Sequence, residues 1–182
     1  IMKSRTTLLL LITALTLMAC TTVSSVSGRT TFEPGAKWAM LPMVNQTDTP
    51  QAGLSAEAIA EHGLRLRGLR DIAHYPLALS RDSLFEPSER RVVDEAQKWA
   101  REQGIRYGLT GVVQEWRYKV GIDGEPAVGV TLQVLDLSTG EIVWSASGAK
   151  SGWSREALSG VAHKLLYQLM ETFPLQAAVD KR

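Results

Sequence analysis

Val112-Val-Gln-Glu-Trp-Arg-Tyr-Lys-Val120, Val128-Gly-Val-Thr-Leu-Gln-Val134 and Ile142-Val-Trp-Ser-Ala146 are the three stretches whose reading decides the fold. Each alternates with a period of two, the spacing at which strand side chains return to the same face. In the first, Val112, Gln114, Trp116, Tyr118 and Val120 share a face, and Glu115, Arg117 and Lys119 take the other. Val128, Val130, Leu132 and Val134 line up in the second, and Ile142, Trp144 and Ala146 in the third. Asp123-Gly124 and Thr139-Gly140 between them are turn pairs that suit tight hairpins. Three strands joined by short turns make an antiparallel meander, and its apolar face needs a cover.

The flanking sequence supplies that cover. Upstream, Lys37 to Met43 is apolar and predicts a buried first strand, closed by Pro42 and the polar Asn45-Gln46-Thr47-Asp48. Ser55 is placed to cap a helix running to about Arg67, with Leu54 and Ile59 as a hydrophobic staple and Gly68 as its stop. Asp71 to Tyr75 predicts a short second strand before Pro76. Ser88 caps a further helix to about Gln103, with Val92, Val93, Ala96, Trp99 and Ala100 at helical spacing and Gly104 ending it. Downstream, Ser154 is placed to cap a last helix that carries Leu158, Val161, Ala162, Leu165, Leu166, Leu169 and Phe173, and Pro174 stops it. The order is β-α-β-α-β-β-β-α, without internal repeat. The fold class is α/β: a single domain over 36–174 with a mixed β-sheet and a C-terminal antiparallel meander packed by amphipathic helices. Residues 175–182 are a tail.

The N-terminal segment has a different composition. Met2 is the expected natural start, with Ile1 an added residue. Lys3 and Arg5 form a short basic region, and Leu8 to Ala19 is apolar with only threonines interrupting it. That pattern fits a signal peptide over 1–19 and is too short for a stable membrane span. It ends in Leu17-Met18-Ala19-Cys20, a bulky apolar residue, a small residue and then cysteine, the pattern that lipoprotein signal peptidase needs. Cys20 is therefore the expected lipidation site. Thr21 rather than Asp follows it, which predicts the outer membrane as the destination. Each buried CH₂ contributes about 0.8 kcal/mol, so one acyl chain is reversible and several are not. Residues 20–35, rich in Thr, Ser and Gly, are expected to be a lipidated flexible tether.

Removing 1–19 leaves 163 of the 182 residues, enough for one core. The precursor has 20 basic and 19 acidic residues. The leader holds Lys3 and Arg5, so 18 basic residues remain against 19 acidic, and nothing in the balance points to nucleic acid. Cys20 is the only cysteine in the sequence, so a lipidated chain has no thiol left for disulfide, metal or catalysis.

No enzyme pattern emerges. His62, His74 and His163 lack metal-ligand spacing. Gly152-Trp153-Ser154-Arg155-Glu156 begins like a nucleophile elbow but lacks its final glycine. No phosphate loop or dinucleotide fingerprint is present, and no catalytic residue, metal or cofactor is expected. Two features stand out instead. The hairpin Gly121-Ile122-Asp123-Gly124-Glu125-Pro126 puts two carboxylates at a tip, either as plain turn chemistry or as a local negative point. Trp153 is either a staple onto Leu158 or an aromatic side chain at a membrane interface.

The stretch from Glu115 to Gln133, with Val143-Trp-Ser-Ala146 and Ser151-Gly-Trp-Ser-Arg-Glu156, resembles the PelC family, outer-membrane lipoproteins of the Pel exopolysaccharide exporter. The resemblance runs from about Gly35 to Met170. It implies a non-enzymatic component: a twelve-subunit periplasmic ring on the outer membrane, associated with a PelB-like barrel and its helical-repeat scaffold. The implied cargo is a cationic, partly de-N-acetylated hexosamine polysaccharide. The family's acidic pore residue corresponds to Asp123 and its membrane-facing aromatic to Trp153. The competing expectations are an envelope lipoprotein that activates a peptidoglycan synthase, and an envelope hydrolase with an unrecognised site.

Overall fold

The computed structural model describes residues 21–27, 32–33, 35–76, 89–121 and 124–174. Their elements, in chain order, are β1 (Thr21–Ser27), β2 (Trp38–Asn45), α1 (Ala52–Leu66), β3 (Ile72–His74), α2 (Glu89–Glu102), β4 (Tyr107–Tyr118), β5 (Pro126–Asp136), β6 (Glu141–Ser151) and α3 (Leu158–Glu171). The strands form one mixed sheet in the order β1-β6-β5-β4-β2-β3. The pairs β4–β5 and β5–β6 are antiparallel, the expected meander, and β2 runs parallel to both β3 and β4. The chain is thus a single α/β domain with a mixed sheet, as its hydrophobic pattern predicts.

The departure at the N-terminus is larger. Thr21–Ser27, within the expected flexible tether, is an edge strand paired antiparallel with β6, from Thr21↔Lys150 to Ser27↔Trp144. Its Thr-Thr-Val-Ser-Ser-Val-Ser sequence is short and polar, but threonine and valine suit a pleated surface and β6 would otherwise have an open edge.

Helices cover both sides of the sheet rather than only the apolar face of the meander. On one side α1 and α3 pack over Trp38, Met40, Tyr107, Leu109, Val113 and Trp116, together with the inward side chains of β5 and β6. On the other, Ala96 and Ala100 of α2 pack against Ala39, Leu41, Leu135 and Leu137. The alternation of Trp38 and Met40 with Ala39 and Leu41 on β2 feeds both cores. The rest of the far face of the meander is polar, with the Thr131 hydroxyl 2.7 Å from Gln114 Nε2 and 2.8 Å from the Ser147 hydroxyl.

Bulges correct the expected strand faces. On β5, Val128, Val130, Leu132 and Val134 all face the larger core as predicted. On β4 the register slips between Val113 and Glu115, so Gln114 is the extra residue. A bulge leaves one residue unpaired and reverses the phase beyond it. Val113, not Val112, therefore shares the core with Trp116, and Gln114 is exposed. Beyond Trp116 the strand leaves the core, and Tyr118 and Val120 are exposed. A second slip at Val134/Leu135 places Val143 beside Trp144 in the core and leaves Ile142 exposed.

Neither described helix start uses the predicted serine. α1 begins at Ala52, before Ser55, with Gln51 in the left-handed region (φ 61) and no side-chain cap. The Asn45 side chain shapes the preceding turn, accepting from the Thr47 amide and donating to the Thr49 carbonyl. Gly53 then lies so close to Met43 that an added Cβ would stand 2.7 Å from its carbonyl oxygen. Leu54 is exposed and staples nothing. α3 begins at Leu158 with Ala157 as N-cap, so Ser154 lies in the turn before it. Ser88 lies outside the described residues. Gly68 and Gly104 do stop their helices, at φ 92 and 67.

One buried charge ties the sheet together at the end of β5. The Asp136 side chain is fully buried. Arg106 Nη2 donates to its Oδ2 at 2.8 Å, and the Ser138 amide and hydroxyl donate to its Oδ1 at 3.1 and 2.7 Å. Burial alone would raise its pKa, but the bonds from Ser138 and Arg106 outweigh burial and hold the carboxyl below the usual aspartate range. Because the folded-state pKa is depressed, the stabilisation is complete above the unfolded carboxylate pKa and is lost as pH falls through the folded value. Asp136→Ala is expected to lose about 2–4 kcal/mol in urea unfolding at neutral pH, since it leaves Arg106 without its buried partner. The gap from the parent should narrow in acid; a gap that widens there would contradict this assignment.

Candidate functional site

At one end of the sheet, three segments that are far apart in sequence meet. The end of β4 enters the 119–125 hairpin, β6 runs out into the loop 152–157, and β1 begins. The Gly152 amide donates to the Pro126 carbonyl (2.8 Å), and Pro126 is the ladder partner of Tyr118. The Tyr118 hydroxyl accepts from the Leu158 amide (3.0 Å) and donates to the Glu156 carbonyl (3.4 Å). Lys119 Nζ donates to the Ser151 hydroxyl (2.7 Å), and its amide donates to the Glu125 carbonyl (2.7 Å). Thr21, next in sequence to Cys20, is the partner of Lys150 in this same corner.

The loop that carries Trp153 is a built structure. Glu156 Oε2 accepts from the Trp153 amide (3.1 Å), and its Oε1 accepts from Lys164 Nζ on α3 (2.5 Å). The Glu156 amide returns a bond to the Trp153 carbonyl (2.9 Å), and Arg155 takes φ 70 to close the turn. The bonds from Lys164 and from the Trp153 amide hold the Glu156 carboxyl below the usual glutamate range. Gly152 leaves no free room for a side chain: an added Cβ would stand 2.5 Å from Val161, 2.6 Å from Glu156 and 2.9 Å from Pro126, so these side chains would have to shift.

Onto this frame the sequence-predicted residues fall unevenly. Trp153 is 58% exposed, so it is not the staple of a Ser154 cap, and no such cap forms. Cys20 and Asp123 lie outside the described residues, although their neighbours Thr21, Gly121 and Gly124 are described. Sequence reasoning missed Tyr118 and Val120, which it placed on the apolar face; they are 50% and 101% exposed. A period-two pattern carries no signal for where along a strand the core ends.

Elsewhere, His62 on α1 and His163 on α3 flank Tyr167, with ring centroids 6.2 and 6.0 Å from it. Glu57 lines a cavity of about 460 Å³ with Met40, Met43, His74 and Tyr75. Burial raises the Glu57 pKa, although its carboxylate accepts from the Met43 amide at 2.8 Å. Among the described residues no group of three or more His, Cys, Asp or Glu side chains could hold a metal, and no helix is long and apolar enough to cross a membrane.

No protein-family model and no curated protein matches the sequence. Solved structures do. A PelC dodecamer from Paraburkholderia phytofirmans is 43% identical with a TM-score of 0.70, over 87% of this chain and 99% of that one. A single-substitution variant of that PelC dodecamer is 44% identical, with a TM-score of 0.71 and the same coverage. The chain belongs to the PelC family. Lipoprotein GNA1162 from Neisseria meningitidis, 17% identical with a TM-score of 0.54 over 75% of this chain and 96% of that one, shares the fold. The PelC match covers most of both chains, so the family assignment rests on the whole domain and not on the meander alone.

Gly152→Ala is expected to cost about 1–3 kcal/mol through overpacking against Val161, measured by thermal or urea unfolding. The depressed pKa of Glu156 sets a second expectation. The Trp153 amide resonance should stay fixed as pH falls through the ordinary glutamate range and shift only in stronger acid. In Glu156→Gln that acid-induced shift should disappear.

Proposed function

We propose that this chain is an outer-membrane lipoprotein, anchored through Cys20, that forms a twelve-subunit periplasmic ring guiding cationic Pel polysaccharide to an export pore. The observation that carries this reading is the likeness to a PelC dodecamer over 99% of that protein's chain. Asp123 supplies the guiding charge, Trp153 meets the membrane interface, and a PelB-like barrel with its helical-repeat scaffold is the partner at the pore. The chain itself carries out no chemistry in this reading.

The physical case rests on repetition. One exposed carboxylate acts weakly in water, because its field decays over about 8 Å at physiological salt. Copies arranged around one opening sum their potentials, and walls of one sign concentrate a counter-charged polymer there. Asp123-Gly124 reads from the sequence as a turn pair, and a carboxylate in a turn suits the role because turns take no part in strand pairing. The exposed Trp153 in the neighbouring loop agrees with a membrane-proximal end, since indole rings favour the headgroup region.

Asp123→Asn is expected to leave the domain folded and the ring assembled while secreted polymer falls by roughly tenfold, the lower end of electrostatic steering effects. High salt should produce the same loss in the parent. Normal secretion by this variant at low and high salt would remove the guiding role. Cys20→Ser should leave the membrane fraction altogether, and native mass measurement of that soluble form, alone and with the barrel partner in lipid nanodiscs, tests the ring.

A further inference from the structure

We propose that the cavity at the carboxyl ends of β2 and β3 is a subsite for one de-N-acetylated hexosamine residue, with its ammonium group on Glu57. The inference rests on the proposed handling of a cationic amino-sugar polymer and adds a seat built by residues other than Asp123.

Topology opens a crevice there. The chain winds outward from β2 through α1 to β3, then returns through α2 past β2 to β4, since the strand order is β4-β2-β3. α1 and α2 lie on opposite faces of the sheet, so the connections that follow β2 and β3 part at the strand ends. Open α/β sheets bind ligands in such a crevice, outside the carboxyl ends of the strands and where the strand order reverses. The cavity of about 460 Å³ has the size of an ordinary small-molecule site. Met43 from β2, Leu54 from α1, Tyr75 after β3 and Val92 from α2 give it largely apolar walls, and the exposed Gln51 and His74 complete its lining.

Glu57 gives the crevice its chemistry. Just past the slip of β2 between Met40 and Met43, the Met43 amide donates to Glu57 Oε1 at 2.8 Å. That bond accounts for one carboxylate oxygen only. Among the described residues no basic side chain forms an ion pair with Glu57. Arg65 Nη2 and His74 Nε2 both stand on Glu61 instead, at 2.6 and 3.3 Å. Burial raises the Glu57 pKa, so its charged form gains from a cation that enters the cavity. A bare ammonium ion would leave the apolar walls uncovered. An amino sugar brings the cation on a ring whose C–H faces suit the methionine and leucine side chains and whose hydroxyls suit the Gln51 amide. An N-acetyl group would replace the ammonium by a neutral amide and forfeit the ion pair.

The test titrates the acylated chain in phosphatidylcholine nanodiscs with a glucosamine tetramer, and separately with the N-acetylated tetramer, by isothermal calorimetry. The glucosamine form is expected to bind at least about tenfold more tightly, the scale of one charge-assisted hydrogen bond. Glu57→Gln keeps an acceptor for the Met43 amide and should lose that preference. Leu54 is exposed and lies three residues earlier on the same helix face. Leu54→Lys should therefore weaken glucosamine binding by about the same factor, because its tethered ammonium competes for Glu57. Both variants should melt with the parent. Equal binding of the two tetramers overturns the ammonium seat. A preference that survives Glu57→Gln and disappears in Asp123→Asn overturns this site and leaves the guiding reading standing. A Glu57-dependent preference beside normal secretion by Asp123→Asn does the reverse. Putrescine that binds as tightly as the glucosamine tetramer overturns the sugar. A Glu57→Gln chain that no longer assembles in native mass measurement assigns the carboxylate to a contact between copies and overturns the subsite.

Discussion

β5 runs without an extra residue between two neighbours that are each interrupted once, and the placement of every other element follows from that. Val128, Val130, Leu132 and Val134 keep one phase along the strand and set the floor on which α1 and α3 rest. β4 must insert Gln114 and β6 must insert Val143 to stay paired with it. Each insertion turns the following side chains over, because the strand period is two. The bulge at Gln114 brings Trp116 into the core, and the strand then runs beyond the helices' reach. The exposed end of β4 is therefore a consequence of the pairing.

How far the fold was legible depends on whether a residue's role is set locally. The meander, the buried strand ahead of it, the three helices and the two glycine stops were legible, because periodicity and turn chemistry act over a few residues. The bulges on β4 and β6, and the slip of β2 between Met40 and Met43, were not. A period-two reading has no means to see that Glu115 rather than Gln114 faces Gly129, since that is decided by the partner strand. The helix starts failed for a similar reason. Ser55 and Ser154 are good caps in isolation, but the contact of Gly53 with Met43 draws α1 earlier and the Glu156–Lys164 pair delays α3. β1 was missed because a polar Thr-Ser-Val run looks like a linker until an open edge is offered to it.

The candidate site follows the same division. Trp153 could be singled out from sequence because it stands just before a candidate Ser154 cap, but only its exposure and the absence of that cap decide between staple and exposed ring. The loop under it is held by one carboxylate that bonds both a backbone amide and a lysine, so the ring is presented on a stiff base. Such a base limits the freedom lost when the side chain meets a surface. Tyr118 has two jobs at once: its hydroxyl satisfies the first amide of α3 while its ring faces outward.

The pairing of β1 with β6 also bears on how the domain folds and opens. Thr21 and Lys150 are separated by nearly the whole domain, so their contact closes the longest loop in the sheet and belongs to the late stage of folding. As an edge strand β1 is held on one side only, so it is also the first part of the sheet to open under tension. A pull on the N-terminus therefore meets a short, separable ladder before it reaches the β4–β5–β6 core. The strand acts as a mechanical fuse: load applied at Thr21 peels it away and leaves the rest of the domain folded.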